Sequence, residues 1–343
     1  MVRVRTFDDP AAGAWDAFVR KVSAATFFHL SPWRKVIERS FGHATHYAMA
    51  EQDGAIVGVL PLVRMRTWLF GDAMVSTPFC VYGGPVAATP EAEAALEAHA
   101  VGLMRSTGTP CLEFRGLHSP SVCTPVRSSL YHTFRRPITG DAERDMKAIP
   151  RKQRAMVRKG IQNGLRAVSS GDTDQVHRIY AESVRNLGTP VFSRRYFRLL
   201  GEAFPRACDV VTVLSDDRPV ASVLNFYFRD EVLPYYGGGT RQARTMAAND
   251  FMYWEVMRRA GTERGARIFD FGRSKAGSGA FDFKKNWGFA PQPLHYGYRL
   301  KAGARPPEHN PTNPKYRLMI SAWRRLPLPV ANAVGPFIVR GLG

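Results

Sequence analysis

The order of secondary-structure signals runs through this chain twice, and that repetition limits the possible folds more than any single motif. In the first pass, residues 2–7 (VRVRTF) alternate as a strand, and Asp8 or Asp9 with Pro10 opens a helix to about Lys21. Ser31-Pro32 starts a second helix, a cap followed by proline at the first helical position. Two alternating runs around Asp53-Gly54 (46–68) read as a hairpin, and Met74 to Val86 as an apolar strand region ending in glycines. Thr89-Pro90-Glu91 caps a helix that Gly108 stops, and residues 110–115 (PCLEFR) form a buried strand. In the second pass the strand is 165–170, Asp172 or Thr173 caps a helix to Leu187, and Ser193 begins another to Phe204. A hairpin around Asp216-Asp217 (209–230) follows, then the strand VLPYYGGG (232–239), a helix capped by Asn249 and running to about Arg264, and the strand ARIFDFG (266–272).

The two passes are offset by roughly 155–165 residues, with little identity between them. With 343 residues, 45% of them hydrophobic, the chain can bury about two cores. The expectation is an α/β protein of two tandem domains with mixed, mainly antiparallel sheets: residues 1–146, a basic connecting helix 147–163, residues 164–300, and a Pro-rich linker with a basic amphipathic tail, 301–343. This order is similar to that of the GNAT acyltransferase fold. The resemblance implies a strand that splays from its neighbour to admit a thioester, whose pyrophosphate lies on the following helix N-terminus. The GNAT loop pattern is Arg/Gln-x-x-Gly-x-Gly/Ala. In Gln242-Ala243-Arg244-Thr245-Met246-Ala247 the first and last letters fit, and Thr245 replaces the central glycine. Arg241 and Arg244, just ahead of the helix at Asn249, make a candidate anion site; a basic surface loop is the other reading.

Charge narrows the partners. There are 48 Lys+Arg against 29 Asp+Glu, formally +19, which suits nucleic acid, anionic lipid or a phosphate-bearing substrate. The stretch KAIPRKQRAMVRKGIQNGLR (147–166) holds seven basic residues and no acid. If Pro150 starts a helix, Arg151, Arg154 and Arg158 share one face and Val157 and Ile161 another, which would serve as a phosphate clamp. Cys80, Cys111, Cys123 and Cys208 are scattered, arguing against a zinc ribbon or disulfide scaffold, and the lone His43-x-x-His46 is a weak metal signal, so no metal is expected. The N-terminus lacks the apolar core of a signal peptide, and no apolar run reaches the roughly 18–20 residues that span a bilayer. The expected location is the cytoplasm, peripheral at the inner face of the membrane.

Residues 269–289, FDFGRSKAGSGAFDFKKNWGF, are the most pointed chemical signal. They open as a buried strand, break at Gly272-Arg273-Ser274-Lys275, pass small residues, and close on Phe283-Lys284-Lys285. Cations beside apolar runs act strongly on developing charge; a strand, a loop and a second strand with solvated lysines is the alternative. The tail 315–343 mixes arginines with Leu318, Met319, Ala322 and Trp323 on one helical face, while Pro327, Pro329 and Pro336 argue against one continuous helix. It reads either as an interfacial anchor on anionic lipid or as a segment folded back on the globule.

Two such halves, a Pro-Arg-Lys-x-Arg helix and a late Phe-Lys-Lys resemble the FemAB family of aminoacyl-transferases, and in detail a FemAB-like subgroup associated with the exosortase/PEP-CTERM exopolysaccharide system. The matching stretches are 149–165, 235–257, 269–289 and 313–343. The resemblance implies amide formation on an amine of a cell-envelope or exopolysaccharide precursor, without metal or tightly bound cofactor. The donor would be aminoacyl-tRNA or an acyl-CoA or acyl carrier, and partners would be a phosphate-bearing precursor and tRNA. By the same resemblance, Lys284 or Lys285 of the Phe283 motif would stabilise the acceptor or the tetrahedral oxyanion, and Arg151, Lys152, Arg154 and Arg158 would hold phosphates. Tyr236, Arg241, Arg244, Asn249, Arg273, Lys275 and Phe283 complete the candidate substrate contacts. Asp270, at a strand end, is a candidate acceptor of the amine's proton; an ion pair with Arg273 or Lys275 is the other reading. A non-catalytic module that binds tRNA or lipid phosphates by charge alone also stays open.

Overall fold

A computed structural model describes residues 1–304 and 314–343. The first half runs β1 (Arg3–Thr6), α1 (Ala12–Lys21), α2 (Pro32–Phe41), β2 (Ala44–Thr45), β3 (Ala48–Gln52), β4 (Ala55–Leu60), β5 (Val63–Thr67), β6 (Gly71–Ser76), β7 (Val86–Ala87), α3 (Pro90–Ser106), β8 (Cys111–Gly116) and β9 (Val126–Arg127). It continues through β10 (Tyr131–Pro137), α4 (Ala142–Ala148) and α5 (Arg151–Gln162) into β11 (Arg166–Ser170), α6 (Thr173–Leu187), α7 (Arg194–Ala203), β12 (Cys208–Ser215), β13 (Arg218–Phe228), β14 (Glu231–Gly239), α8 (Ala248–Arg264) and β15 (Ile268–Asp270). The remainder is β16 (Ser274–Lys275), α9 (Gly279–Asn286), β17 (Pro291–Pro293), β18 (His295–Leu300), α10 (Pro314–Arg325) and α11 (Leu328–Val339).

The chain forms two compact units, each the expected α/β arrangement of helices with mixed sheets. The first unit comprises Met1–Tyr131 together with β18 and the segment Arg340–Gly343. Its strands form two sheets, β1-β3-β4-β7 and β2-β5-β6-β8-β18-β9. The break falls at Pro61, which has no N–H to give to a ladder. β6 and β8 pair parallel, with Met74 opposite Leu112, and α3 covers a core that includes Leu60, Met74, Leu96, Leu112 and Phe114. His43 donates from Nε2 to the Arg340 carbonyl at 2.8 Å, and among the described residues no group of three His, Cys, Asp or Glu is placed to hold a metal.

The second unit comprises His132–Gln292 with α11 and the described part of the preceding tail. Its sheet runs β11-β12-β13-β14-β15-β10-β16. The core beneath α8 includes Val211, Val223, Val232, Met252, Val256, Phe269 and Trp287. The expected boundary at 146/147 differs from this division, because β10 hydrogen-bonds antiparallel to β15, with Arg135 opposite Asp270. Likewise β18 lies on β8 of the first unit, with His295 opposite Gly116. The first unit thus takes back a strand from beyond the end of the second.

Local chemistry explains most element ends. Asp172 accepts from the Gln175 amide, Ser193 from Tyr196 and Thr89 from Ala92, as the cap residues require. Asp216 and Asp217 both take positive φ (47° and 61°), the conformation a two-residue hairpin needs. Two readings are corrected. Asn249 is not the cap of α8: the helix starts at Ala248 after Ala247 in the left-handed region, with no side-chain cap. Residues 279–286 form helix α9, not a strand, since Ser278 caps them by accepting from the Phe281 amide at 3.2 Å. On α5, Val157 is buried, Ile161 is half exposed, and Gly160 faces Phe251 of α8. In the tail, Pro327 separates two helices as expected, but Pro336 lies inside α11.

Candidate active site

β14 and β15 create the opening on which the site is built. They pair in parallel only at Glu231–Ile268 and Val232–Phe269, after which β14 leaves β15 and runs on to Gly239 paired with β13. A bulge at Tyr235, where the register against β13 slips, bends β14 as it leaves its neighbour. The glycines that end β14 are dictated by close approach. A Cβ at Gly238 would lie 2.5 Å from the Ser183 Cβ of α6, one at Gly239 2.8 Å from Asn249 Oδ1, and one at Gly237 3.1 Å from the Tyr253 hydroxyl.

At this end of β14 and the start of α8, Thr240 Oγ1 and Asn249 Oδ1 are buried without a hydrogen-bond partner. Such orphaned groups are uncommon in folded proteins and mark places where a ligand can supply the missing bond. Arg241 and Arg244 sit exposed in the turn just before, and the uncapped N-terminus of α8 leaves amide dipoles open to an anion. Arg241 is anchored by its own amide, which donates to Glu182 at 3.1 Å.

Beyond β15 the chain turns at Gly272 (φ +66°) and enters α9. Lys284 is carried on the inward side of that helix. Its Nζ donates to the Gly272 carbonyl at 3.0 Å and the Arg273 carbonyl at 3.1 Å, and lies 5.5 Å from the centre of the Phe134 ring. Burial lowers its pKa to about 7, Asp270 opposing and Arg273 reinforcing the shift. Lys285, one residue on, points to the other side, exposed, with Nζ 5.7 Å from the Phe281 ring. The motif therefore delivers one desolvated amine rather than a pair. Phe283 packs within 5.7 Å of Tyr253 and 6.2 Å of Trp287. Lys275 is partly buried, its pKa lowered by desolvation, and Ser274 Oγ beside it is buried without a partner.

Asp270 is fully buried and already engaged. Its Oδ1 accepts from the Gly272 amide at 2.7 Å and from Thr133 at 3.4 Å, and its Oδ2 lies 3.5 Å from Arg135 Nε. One ion partner is Arg135 of β10, which also bonds Glu231. Asp270 is thus placed to bind strands together and to set the field at Lys284. Tyr236 is likewise buried: its hydroxyl bonds Tyr196 at 2.9 Å inside an aromatic cluster with Tyr180, Phe192 and Phe197.

The basic helix α5 joins the site through Asp250. Asp250 Oδ1, in the first turn of α8, accepts from Gln153 of α5 and from Trp287 Nε1 at 3.2 Å. Burial raises the pKa of Asp250. Pro150, at the head of α5, touches the turn after α9, where a Cβ at Gly288 would lie 3.0 Å from the proline ring. Arg151, Lys152 and Arg158 are exposed and Arg154 half-buried, and none is ion-paired with a carboxylate among the described residues. The structure thus ties α5 to α8 and to the end of α9 through Gln153, Asp250, Trp287 and Pro150. A cavity of about 430 Å³ between α7 and β12, lined by Thr173, Arg198 and Asp209 among others, holds none of these residues.

Sequence reasoning missed Tyr253, Asp250, Gln153 and Arg135. For Tyr253 a signal existed: it stands four residues after Asn249, on the same face of α8. Its pKa is pushed up to about 12 by burial and by Asp250, so its hydroxyl keeps its proton at neutral pH.

These features define an α/β protein with a GNAT-type opening in its second unit. Residues 146–285 match the family model described as Acetyltransferase (GNAT) domain. Among solved structures the chain is similar to FemX, with a TM-score of 0.65 at 14% identity, covering 93% of this chain and 100% of that one. It is also similar to the C-terminal domain (DUF2156) of a putative lysylphosphatidylglycerol synthetase from Agrobacterium fabrum (0.55; 13%; 85% and 93%) and to a tandem GNAT protein from the clavulanic acid biosynthesis pathway (0.53; 13%; 89% and 100%). These likenesses establish the fold. No sequence among the curated proteins matches the chain.

Proposed function

We propose that the second unit transfers an acyl group from an activated ester, in the first instance an acyl-CoA or acyl-carrier thioester, to an amine of a phosphate-bearing cell-envelope or exopolysaccharide precursor. The observation that carries this reading is Lys284. A neutral lysine amine has two N–H bonds and one lone pair. Gly272 and Arg273 take both donors, which leaves the lone pair available to take a proton from the acceptor ammonium, so that the free amine can attack. A pKa of about 7 puts that neutral form within reach at cellular pH.

The donor would enter between β14 and β15. Its thioester would lie toward Gly237, with Thr240 and Asn249 offering bonds to its amide groups and α8, Arg241 and Arg244 facing its phosphates. Attack of the acceptor nitrogen on the acyl carbon breaks the carbon–sulfur bond, and the Tyr253 hydroxyl is the candidate donor of a proton to the departing thiolate. Arg151, Lys152, Arg154 and Arg158 would hold the acceptor's phosphates. The alternative donor is an aminoacyl ester on tRNA; the overall positive charge and the fold shared with FemX favour keeping it as the second arm of the test.

Titration of the purified protein with CoA, and with aminoacyl-tRNA in parallel, tests the donor. Mass spectrometry of envelope glycans from a deletion strain tests the acceptor. Binding of CoA that is lost in Arg241→Glu/Arg244→Glu, together with one missing acyl mass, is the expected result. No binding of either donor, with unchanged glycans, overturns the proposal.

A further inference from the structure

We propose that the outward face of α10 and α11 docks the second unit onto an anionic lipid bilayer. Both helices are held to α6 by their inner sides. In α11, Ala331, Gly335 and Val339 are buried, Gly335 lies against Val191, and Leu328 packs on Ala181, Val184 and Val191. In α10, Ile320 sits against Gly188, Arg324 donates to the Leu187 carbonyl at 3.3 Å, and Arg185 donates to the Arg324 carbonyl at 3.3 Å. Both helices thus pack on the second unit by one side.

Large apolar side chains are left outside. Phe337 is 79% exposed, Leu318 77%, Leu187 64% and Met319 55%, with Val330 and Val334 also open. Val330, Val334 and Phe337 recur at helical spacing on one side of α11, opposite the buried stripe. Scattered surface apolar residues need no explanation, but a patch on two consecutive helices does.

Charge selects the occupant. Residues 314–343 contain Lys315, Arg317, Arg324, Arg325 and Arg340 and no aspartate or glutamate. Arg324 and Arg325 are exposed at the end of α10, beside the apolar face. Exposed apolar side chains with arginines in the same segment and no carboxylate side chain among them match the boundary between acyl chains and anionic headgroups. A second copy of the chain fits less well, since a two-fold interface would bring these arginines against their own images. The segment lies on the bilayer rather than across it. The 12 residues of α11 make a helix of about 18 Å, short of the roughly 30 Å hydrocarbon core, and no described helix is long and apolar enough to cross a membrane.

The test is co-sedimentation of the full chain with vesicles of phosphatidylcholine alone or with about 30% phosphatidylglycerol. Wild type should pellet with the anionic vesicles and about tenfold less with the neutral ones, and salt should weaken binding. Leu318→Ser/Phe337→Ser and, separately, Arg325→Glu should each lower anionic-vesicle binding about tenfold. Both changes lie at exposed positions, and circular dichroism checks that each variant is folded; the arginine variant carries the test if the serine pair is not. Equal pelleting by wild type and both variants, or binding that ignores lipid charge, overturns the proposal. So does a dimer in sedimentation equilibrium that the serine pair dissolves, which would assign the face to a second copy. Vesicle binding is read without any acyl transfer, so this result is separate from the fate of the transferase reading.

Discussion

The Nζ of Lys284 stands 3.0 Å from the carbonyl oxygen of Gly272, a residue held in the left-handed region so that this carbonyl turns toward α9. A lysine fixed in this way, with its charge removed from water, has a titration that can be read in both rate and stability.

In rate, the neutral amine is the competent form. Turnover should therefore rise with pH through an apparent pKa near 7 and then level. Lys284→Met should lose about 100-fold or more in kcat with little change in donor affinity, and its residual activity should lack the pH step. Lys285→Met, at an exposed position, should stay within about threefold of wild type. A larger loss at Lys285 than at Lys284 would reverse the assignment.

In stability, the sign follows from proton uptake. The folded pKa of Lys284 is about 7, below the ordinary value of 10.5, so between them the unfolded chain holds the proton more often. The unfavourable contribution is fully present below pH 7, and the folded state gains as pH rises toward 10.5. Urea denaturation of wild type and Lys284→Met across this window should show a rise assignable to Lys284 in the former and absent from the latter. The variant should also be the more stable at pH 7.

Asp250 gathers Gln153 and Trp287 onto one oxygen. Asp250→Ala strands two buried donors and should cost about 2–4 kcal/mol in equilibrium unfolding. Asp250→Asn keeps an acceptor and should cost less than half of that. Equal losses from the two would show that charge, not hydrogen bonding, fastens α5 to α8.

Arg135 faces both Glu231 and Asp270 across β14, β15 and β10. Arg135→Leu leaves two carboxylates without their cation and should destabilise by about 3–5 kcal/mol. Because the stranded groups can be neutralised by protonation, the loss should shrink as pH falls, a trend that thermal melts at several pH values would reveal.

Removing positive charge from α5 addresses substrate binding. Arg151→Gln/Arg158→Gln alters exposed side chains, so the fold should be kept. The KM for a phosphate-bearing acceptor should rise about tenfold with kcat nearly unchanged, since phosphate contacts of this kind act equally on ground and transition states.

Much of the scaffold was legible because its signals are local. Caps at Thr89, Asp172 and Ser193, the Asp53-Gly54 and Asp216-Asp217 turns, and the glycine-ended strands were all readable from neighbouring residues. The site was legible only in outline. The importance of the 269–289 stretch was visible, but its small residues concealed helix α9, whose single stabilising cue is the Ser278 cap. Which lysine is buried depends on where α9 meets Phe134, about 150 positions upstream, and periodicity over eight residues could not supply that. Asp250 and Arg135 act through partners 97 and 96 positions away in sequence, beyond the reach of any motif. Asn249 looked like a cap because asparagine suits that role, whereas here its side chain is turned toward Gly239.

The placement of β18 bears on where such a chain can be divided. A break near Tyr131 leaves the first unit without the inner ribbon that lies between β8 and β9. The leading fragment would then show a raw β8 margin to solvent, whereas residues 131–293 keep every strand of their own β-layer.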